Sequence, residues 1–411
     1  MATRLTALFA SLALAGILKA EPASSGRASV SDGSDVPTSP TPTVTVESDP
    51  HTSDVGTAAG QFWASAEYLH WWVRGDRLPP LVTTGPTNIP AGLSGVPGVP
   101  GTTVLFGGGR QDQDPRNGVR LGGGLWVDDC RTWGIGADVF WLQGQPDGFL
   151  AASTGFPPLA RPVFNMLTGQ PDAEITAFPG LATGSVAVTT ESRLCGAGAF
   201  LRKAICCGEC CSVDALVGYR YLNLDEQLVI AENLQAADVT PGAPPVGTAF
   251  ALTDAYKTRT QFHGADFGLA AHLAQGNYFV DLIGKVAFGC NVREVTVGGS
   301  SQTAIPGVPT ETFAGGLYTI GQPVRATDQV FAVVPELRLN VGCQVSDCVR
   351  VFVGYSVTGW TNVVRPGGQI DQRVNPEQLP PPLVPIPPRI IPFQDGALWL
   401  HGLNIGMAVA F

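Results

Sequence analysis

The stretch that most restricts the fold is the last one, Asp395 to Phe411, which reads DGALWLHGLNIGMAVAF. Side chains along a strand alternate between its two faces. Trp399, Leu403, Ile405, Met407, Val409 and Phe411 share one face, with His401 its only polar member, while Leu400, Gly402, Asn404, Gly406, Ala408 and Ala410 share the other. A soluble barrel would turn the greasy face inward. A strand that ends flush on an aromatic residue, with no polar tail, instead fits the closing strand of an outer-membrane barrel, greasy side to lipid.

A chain of 411 residues would ordinarily make two or three soluble domains, but a barrel with long loops uses that length as one. Charged residues make up 14%, against roughly 25% in soluble proteins, and glycine is abundant. Both shifts favour membrane strands. The net charge of -10 and the lack of a basic stripe argue against a nucleic-acid partner.

Met1 to Ala20 carries Arg4, an apolar run from Leu5 to Leu18 and then small residues, the layout of a secretory signal peptide. The run is shorter than the roughly 20 residues a spanning helix needs. No later segment suits a transmembrane helix, so membrane crossing would use strands. Residues 21–60 are rich in Ser, Pro, Thr, Asp and Gly and are expected to be a disordered leader, with the barrel domain over residues 61–411.

FWASAEYLHWWV, from Phe62, reads as a first strand with aromatics on both faces and Glu67 in its middle. Val119 to Val127 and Trp133 to Trp141 flank a short turn and predict an antiparallel hairpin. The unit recurs at Val186 to Arg202 with Val213 to Leu224, Thr258 to Leu273 with Tyr278 to Phe288, and Phe331 to Val341 with Val349 to Val357. Long segments separate the hairpins: Arg74 to Asn117, Gln143 to Ser185, Asp225 to Ala255, Asn291 to Gln329 and Trp360 to Gln394. Strict alternation of short and long connections predicts an all-β, transmembrane, antiparallel up-and-down barrel of about ten strands, within two, with short periplasmic turns and long outer loops. Glu294 to Gly298 or Phe313 to Ile320 could add strands.

Opposite the greasy faces lie Arg120, Asp138, Glu191, Arg193, Asp214, Arg220, Asp266, Asp281, Lys285, Glu336, Arg338 and Arg350. Charges on the lipid face are costly, so these are assigned to the lumen, either as a salt-bridge network filling it or as a charged constriction. Nine cysteines occur in this exported chain. Cys206, Cys207, Cys210 and Cys211 share one turn, Cys343 and Cys348 another, and Cys130 a third, all on the oxidising periplasmic side. Disulfides are therefore expected, Cys343 with Cys348 first and the four-cysteine cluster next. Zinc at Cys-Cys-x-x-Cys-Cys is disfavoured for want of a second ligand pair.

Catalytic signatures are thin. His51, His70, His263, His272 and His401 fall in no metal or nucleophile motif, and His263 and Asp266 point to opposite faces of one strand. Gly107 to Gly109 and Gly122 to Gly124 open no helix and so make poor phosphate cradles. The expectation is a protein that is not an enzyme and needs no cofactor or metal.

WASAEYLHWWVRGDRLPPLVTTG (Trp63 to Gly85), PGTTVLFGG (Pro100 to Gly108), LARPVFNMLTGQPDAEITAFPG (Leu159 to Gly180), GYRYLNLDE (Gly218 to Glu226), FAVVPELRLNVG (Phe331 to Gly342) and WTNVVRPGGQIDQRVNP (Trp360 to Pro376) resemble the beta barrel porin-7 family of planctomycete outer-membrane proteins. The resemblance runs from about Phe62 to Phe411 and implies an outer-membrane barrel with a porin-like role. Passive diffusion of small hydrophilic solutes is the leading expectation, with membrane lipids and those solutes as partners and a homo-oligomer compatible with the sequence. The alternative is a structural or surface-interaction barrel with a closed lumen and partner-binding outer loops.

Overall fold

A computed structural model describes residues 61–411, except 112–113, 209, 240–242, 380–383, 387–390 and 392. The expected signal peptide and leader lie outside these residues. Ten strands close a ring: β1 (Phe62–Val73), β2 (Pro115–Trp126), β3 (Trp133–Ser153), β4 (Ala182–Cys207), β5 (Cys211–Ala236), β6 (Ala249–Gln275), β7 (Tyr278–Ala304), β8 (Val324–Ser346), β9 (Val349–Val364) and β10 (Asp395–Ala410). Each pairs antiparallel with the next, and β10 returns to β1 from Trp63 opposite Ala410 to Val73 opposite Leu400. This is the all-β antiparallel barrel expected from the sequence. Its strand total is larger than ten, because the outer connections carry short strands of their own, among them Leu159–Asn165 paired with Gln170–Ala177. Glu311–Ala314 pairs with β7, whereas Glu294 to Gly298 lies within β7 itself.

The greasy belt follows from the alternation read in the last strand. Leu403, Ile405 and Met407 are exposed on the outside of β10, while Leu398, Leu400 and Asn404 are buried within. On β10 the belt runs from Phe411, stacked on Phe62, up to His401, stacked under Trp72. That interval matches the roughly 9–11 residues a tilted strand needs to cross a bilayer. The upper edge carries amphipathic rings tied to each other: Tyr355 Oη lies 2.8 Å from His401 Nδ1, Tyr219 Oη 2.6 Å from His263 Nδ1, and Tyr68 Oη donates to Asn117 Oδ1 at 2.7 Å. Such side chains belong where lipid meets water.

Strand lengths are unequal. β1 and β2 have 12 residues each, β4 and β5 have 26, and β6 and β7 have 27. Much of what the sequence reads as loop, in Gln143 to Ser185, Asp225 to Ala255 and Asn291 to Gln329, is strand continuing above the belt. The reason is physical. Above the membrane the outside is wet and the inside is packed, so the alternation keeps its period but reverses its sense. On β5, Leu222, Leu224, Leu228 and Ile230 all point inward and are buried.

Local breaks in regularity serve this packing. β9 bulges between Trp360 and Val363, with Asn362 at φ 56°, and the shift lets both flanking side chains face inward and be buried. Gly402 lets the Trp71 indole lie flat on the neighbouring strand, since a Cβ there would sit 2.6 Å from Trp71 Cδ1.

Candidate functional site

The inward face of β5 serves as a ruler through the barrel. From the short-turn end it presents Asp214, Arg220, Leu222 and Leu224, Glu226, Leu228 and Ile230, then Glu232, and each polar step is met by partners from other strands. The lumen is filled by alternating charged and apolar layers.

The central charged layer draws on seven strands. Arg120 (β2) reaches Glu67 (β1) at 3.3 Å and Glu336 (β8) at 3.9 Å. Arg338 lies 3.8 Å from Glu67 and 2.9 Å from Glu336. Arg220 (β5) pairs with Glu336 and lies 3.6 Å from Asp266 (β6), while Lys285 (β7) lies 3.6 Å from Asp266 and 3.7 Å from Asp138 (β3). Four cations thus face four anions, and only Asp138 is more than slightly exposed. Any one partner lost would leave a charge in a dry interior, which is why the set must balance.

Three of the remaining expected lumen residues face inward nearer the short turns. Asp214 accepts from Arg202 Nε at 2.7 Å, Asp281 Oδ1 lies 2.6 Å from His272 Nδ1, and Arg350 donates to Gln344 at 2.9 Å. Glu191 and Arg193 require a correction. They pair with each other on the exposed outer surface of β4, where Ser192 and Leu194 are the buried neighbours. They stand above the belt, so their side faces water and carries no lipid penalty.

An apolar layer roofs the central charges. Trp71, Phe140, Leu194, Phe262, Trp360 and Leu398 pack with ten other buried side chains across the barrel, none more than 9% exposed. Trp71 and Trp360 satisfy their indole N–H groups on Asn404 and Asn291, at 3.0 and 2.8 Å. The Arg120 guanidinium lies 5.1 Å from the centre of the Trp71 ring, joining the two layers by a cation–π contact. Next above, Arg365 grips Glu226 through two N–H groups at 2.8 and 2.6 Å.

The outermost cluster was not singled out from the sequence. Arg161, on the loop strand Leu159–Asn165, is fully buried between Glu232 at 3.0 Å and Asp254 at 2.6 Å. Tyr318 covers it, ring centre 4.5 Å from the guanidinium carbon, and donates to the Pro162 carbonyl. Burial pushes the Tyr318 hydroxyl up to about 12. Burial alone would lower Arg161, but Asp254, Tyr318 and Glu232 hold it well above the ordinary guanidinium value. Glu174 is half-buried with its Oε2 shut off from solvent; desolvation first, then the Glu232 charge, raises it well above the usual carboxylate range. The available signal was Arg161 within an otherwise apolar LARPVF run, where a lone cation demands an acid.

All nine cysteines are free thiols. Cys130, Cys206, Cys207, Cys210, Cys211 and Cys348 are exposed, and Cys195, Cys290 and Cys343 are half-buried. The disulfides expected from the compartment are therefore not features of this geometry. Among the described residues no group of three or more His, Cys, Asp or Glu is placed to hold a metal ion.

Among solved structures, the chain is similar to the outer membrane protease OmpT from Escherichia coli, at 7% identity over 86% of this chain and 98% of that one, with a TM-score of 0.43. It is also similar to the toluene transporter TodX of P. putida, at 7% identity over 86% and 90% (TM-score 0.19), and to the toluene transporter TbuX of Ralstonia pickettii, at 8% over 86% and 91% (TM-score 0.17). Likeness at these levels transfers no activity. It does correct one expectation. A protease stands beside transporters in this set, so the reading that the chain is not an enzyme is withdrawn. No curated protein matches the sequence. The match that decides kinship is to the family described as "Putative beta barrel porin-7", over residues 63–411. Because it runs from within β1 to the final residue, the chain belongs to the beta barrel porin-7 family.

Proposed function

We propose that the protein is an outer-membrane barrel whose resting lumen is shut by its own side chains, leaving the outer loops as the surface that meets partners. The observation that carries this reading is the cluster of buried apolar side chains around Trp71, Phe262 and Trp360 above the balanced charges. A conducting path would have to cross both. The second reading, passive passage of small hydrophilic solutes, is favoured by the family's porin description and places the selecting charges at Lys285 and Arg338. On either reading residues 1–20 direct export, residues 21–60 form a leader, and the barrel resides in the outer membrane, which fractionation of the expressing cell would test.

Planar-bilayer conductance of the detergent-extracted protein separates the two, once a boiling-dependent gel shift has shown the barrel to be folded. The shut barrel inserts and stays silent. Discrete salt-dependent steps from the unmodified protein, altered by Lys285→Glu or Arg338→Glu, would overturn closure and support solute passage.

A further inference from the structure

The thiols of this chain are not spread evenly. Five of the six exposed ones crowd two adjacent short turns: Cys130 in the turn joining β2 to β3, and Cys206, Cys207, Cys210 and Cys211 around the turn joining β4 to β5. The backbone locks the two turns side by side, because the Ala204 N–H donates to the Thr132 carbonyl at 2.9 Å, just short of Cys206 on one strand and of Cys130 on the other. The Gly208 N–H closes its hairpin on the Cys211 carbonyl at 2.8 Å, and the Ala274 N–H reaches the Cys210 carbonyl at 2.9 Å. The thiols therefore stand on a platform held from both flanks, which lowers the ordering cost of docking.

Five is an odd number, so however these cysteines pair among themselves at least one is left over. No other cysteine of the chain is in reach of it. Cys343 and Cys348 belong to the turn between β8 and β9, three inter-strand spacings from β5 in one direction and from β2 in the other, about 14 Å of sheet. A disulfide needs Cα atoms within about 7 Å of each other. Cys195 and Cys290 lie in mid-strand beside Trp141 and Phe331, away from the turns.

A partner for the leftover thiol must therefore come from another molecule. Charge favours a second copy. By sequence the two turns carry Asp128, Asp129 and Glu209 against Arg131 and Lys203, so the face is nearly neutral and meets its own image without strong repulsion. Copies inserted in one membrane point the same way, and a twofold axis along the membrane normal sets each turn against its twin at equal depth.

We propose that this face is a covalent docking surface for a second copy of the chain, the two joined by a disulfide between their β2 to β5 turns. One S–H bond breaks on each copy and one S–S bond forms between them. The two electrons and two protons reduce the disulfide of an external oxidant, such as oxidised glutathione or a periplasmic dithiol oxidase, to its two thiols. The inference rests on the outer-membrane reading above, which places the short turns in an oxidising periplasm.

The test takes the full chain in outer membranes of the expressing cell, quenched with N-ethylmaleimide, boiled and run on non-reducing gels. The wild type is expected at twice its monomer mass and to collapse to monomer with dithiothreitol, with peptide mapping of the dimer placing the bridge among these five cysteines. Cys130→Ser/Cys206→Ser/Cys207→Ser/Cys210→Ser/Cys211→Ser should abolish the dimer, whereas Cys343→Ser/Cys348→Ser should leave it. Heat-dependent mobility of unboiled samples shows whether each variant is folded, and the peptide map of the wild type decides the point if the fivefold variant is not. A folded, outer-membrane wild type that runs only as monomer overturns this proposal alone. So does a ladder beyond the dimer, an adduct of any other mass, or a dimer that survives the fivefold substitution or is lost with Cys343 and Cys348. A wild type folded outside the outer membrane would overturn the outer-membrane reading and the proposal with it.

Discussion

Glu336 is the carboxylate on which the central layer converges, with Arg120, Arg220 and Arg338 all pointing at it. Glu336→Gln keeps the volume and removes the charge, leaving three guanidinia to share Glu67 and Asp266. Breaking a buried pair in this way costs about 3–5 kcal/mol, because the orphaned charge stays in the interior. The exposed pair Glu191 and Arg193 is the matched contrast, and Glu191→Gln should change stability by no more than about 0.5 kcal/mol. Urea midpoints of the folded fraction, read by gel mobility, check both. Similar midpoints for the two variants would mean that the central charges are hydrated and that the lumen is wetter than its packing implies.

At the scale of elements, the fold was readable wherever lipid faces the strand and obscure wherever water does. In β10 and β3 the greasy outer positions, such as Ile405 and Trp141, mark register and facing. They also sort Arg120, Asp138, Asp266 and Glu336 to the lumen without a structure. Above the belt the same alternation changes meaning, so Glu191 and Arg193 were turned the wrong way and the upper halves of β5 to β7 passed for loop. Which acid meets which base was not readable at all, since Arg161 finds Glu232 and Asp254 at sequence separations of 71 and 93. That outer cluster sets three carboxylates, Glu174, Glu232 and Asp254, around one guanidinium, with the Tyr318 phenol against it. Desolvation and the neighbouring Glu232 charge therefore raise Glu174, on the loop strand Gln170–Ala177, well above the usual carboxylate range in the folded cap. A carboxylate raised by folding contributes stability that is full below its ordinary value of 4.5 and is lost as pH rises through the raised one. Hydrogen exchange over Leu159–Ala177 should accordingly quicken with rising pH beyond the intrinsic exchange rate. Glu174→Gln should flatten that excess, and an unchanged pH profile would sink the assignment.

On the scale of the whole molecule, closure depends on a few large side chains more than on backbone. Trp360, fully buried and braced edge-on by Phe262, bridges from the β9 bulge toward the middle of the apolar layer. Trp360→Ala leaves a cavity there, at a stability cost of about 3–5 kcal/mol. Combined with Trp71→Ala, it should turn an electrically silent barrel into one with brief, small conductance events. Persistent silence in a folded double variant would place the seal in the charged layer instead.

The unequal strands give this barrel a heading in the plane of the membrane. Fifteen residues separate the 27 of β6 from the 12 of β1, on the order of 50 Å of strand and about 35 Å of height once tilt is allowed for. One side is a parapet and the other a threshold. Neighbouring copies would then have to choose how to face one another, an order that a cylinder of even height could not impose.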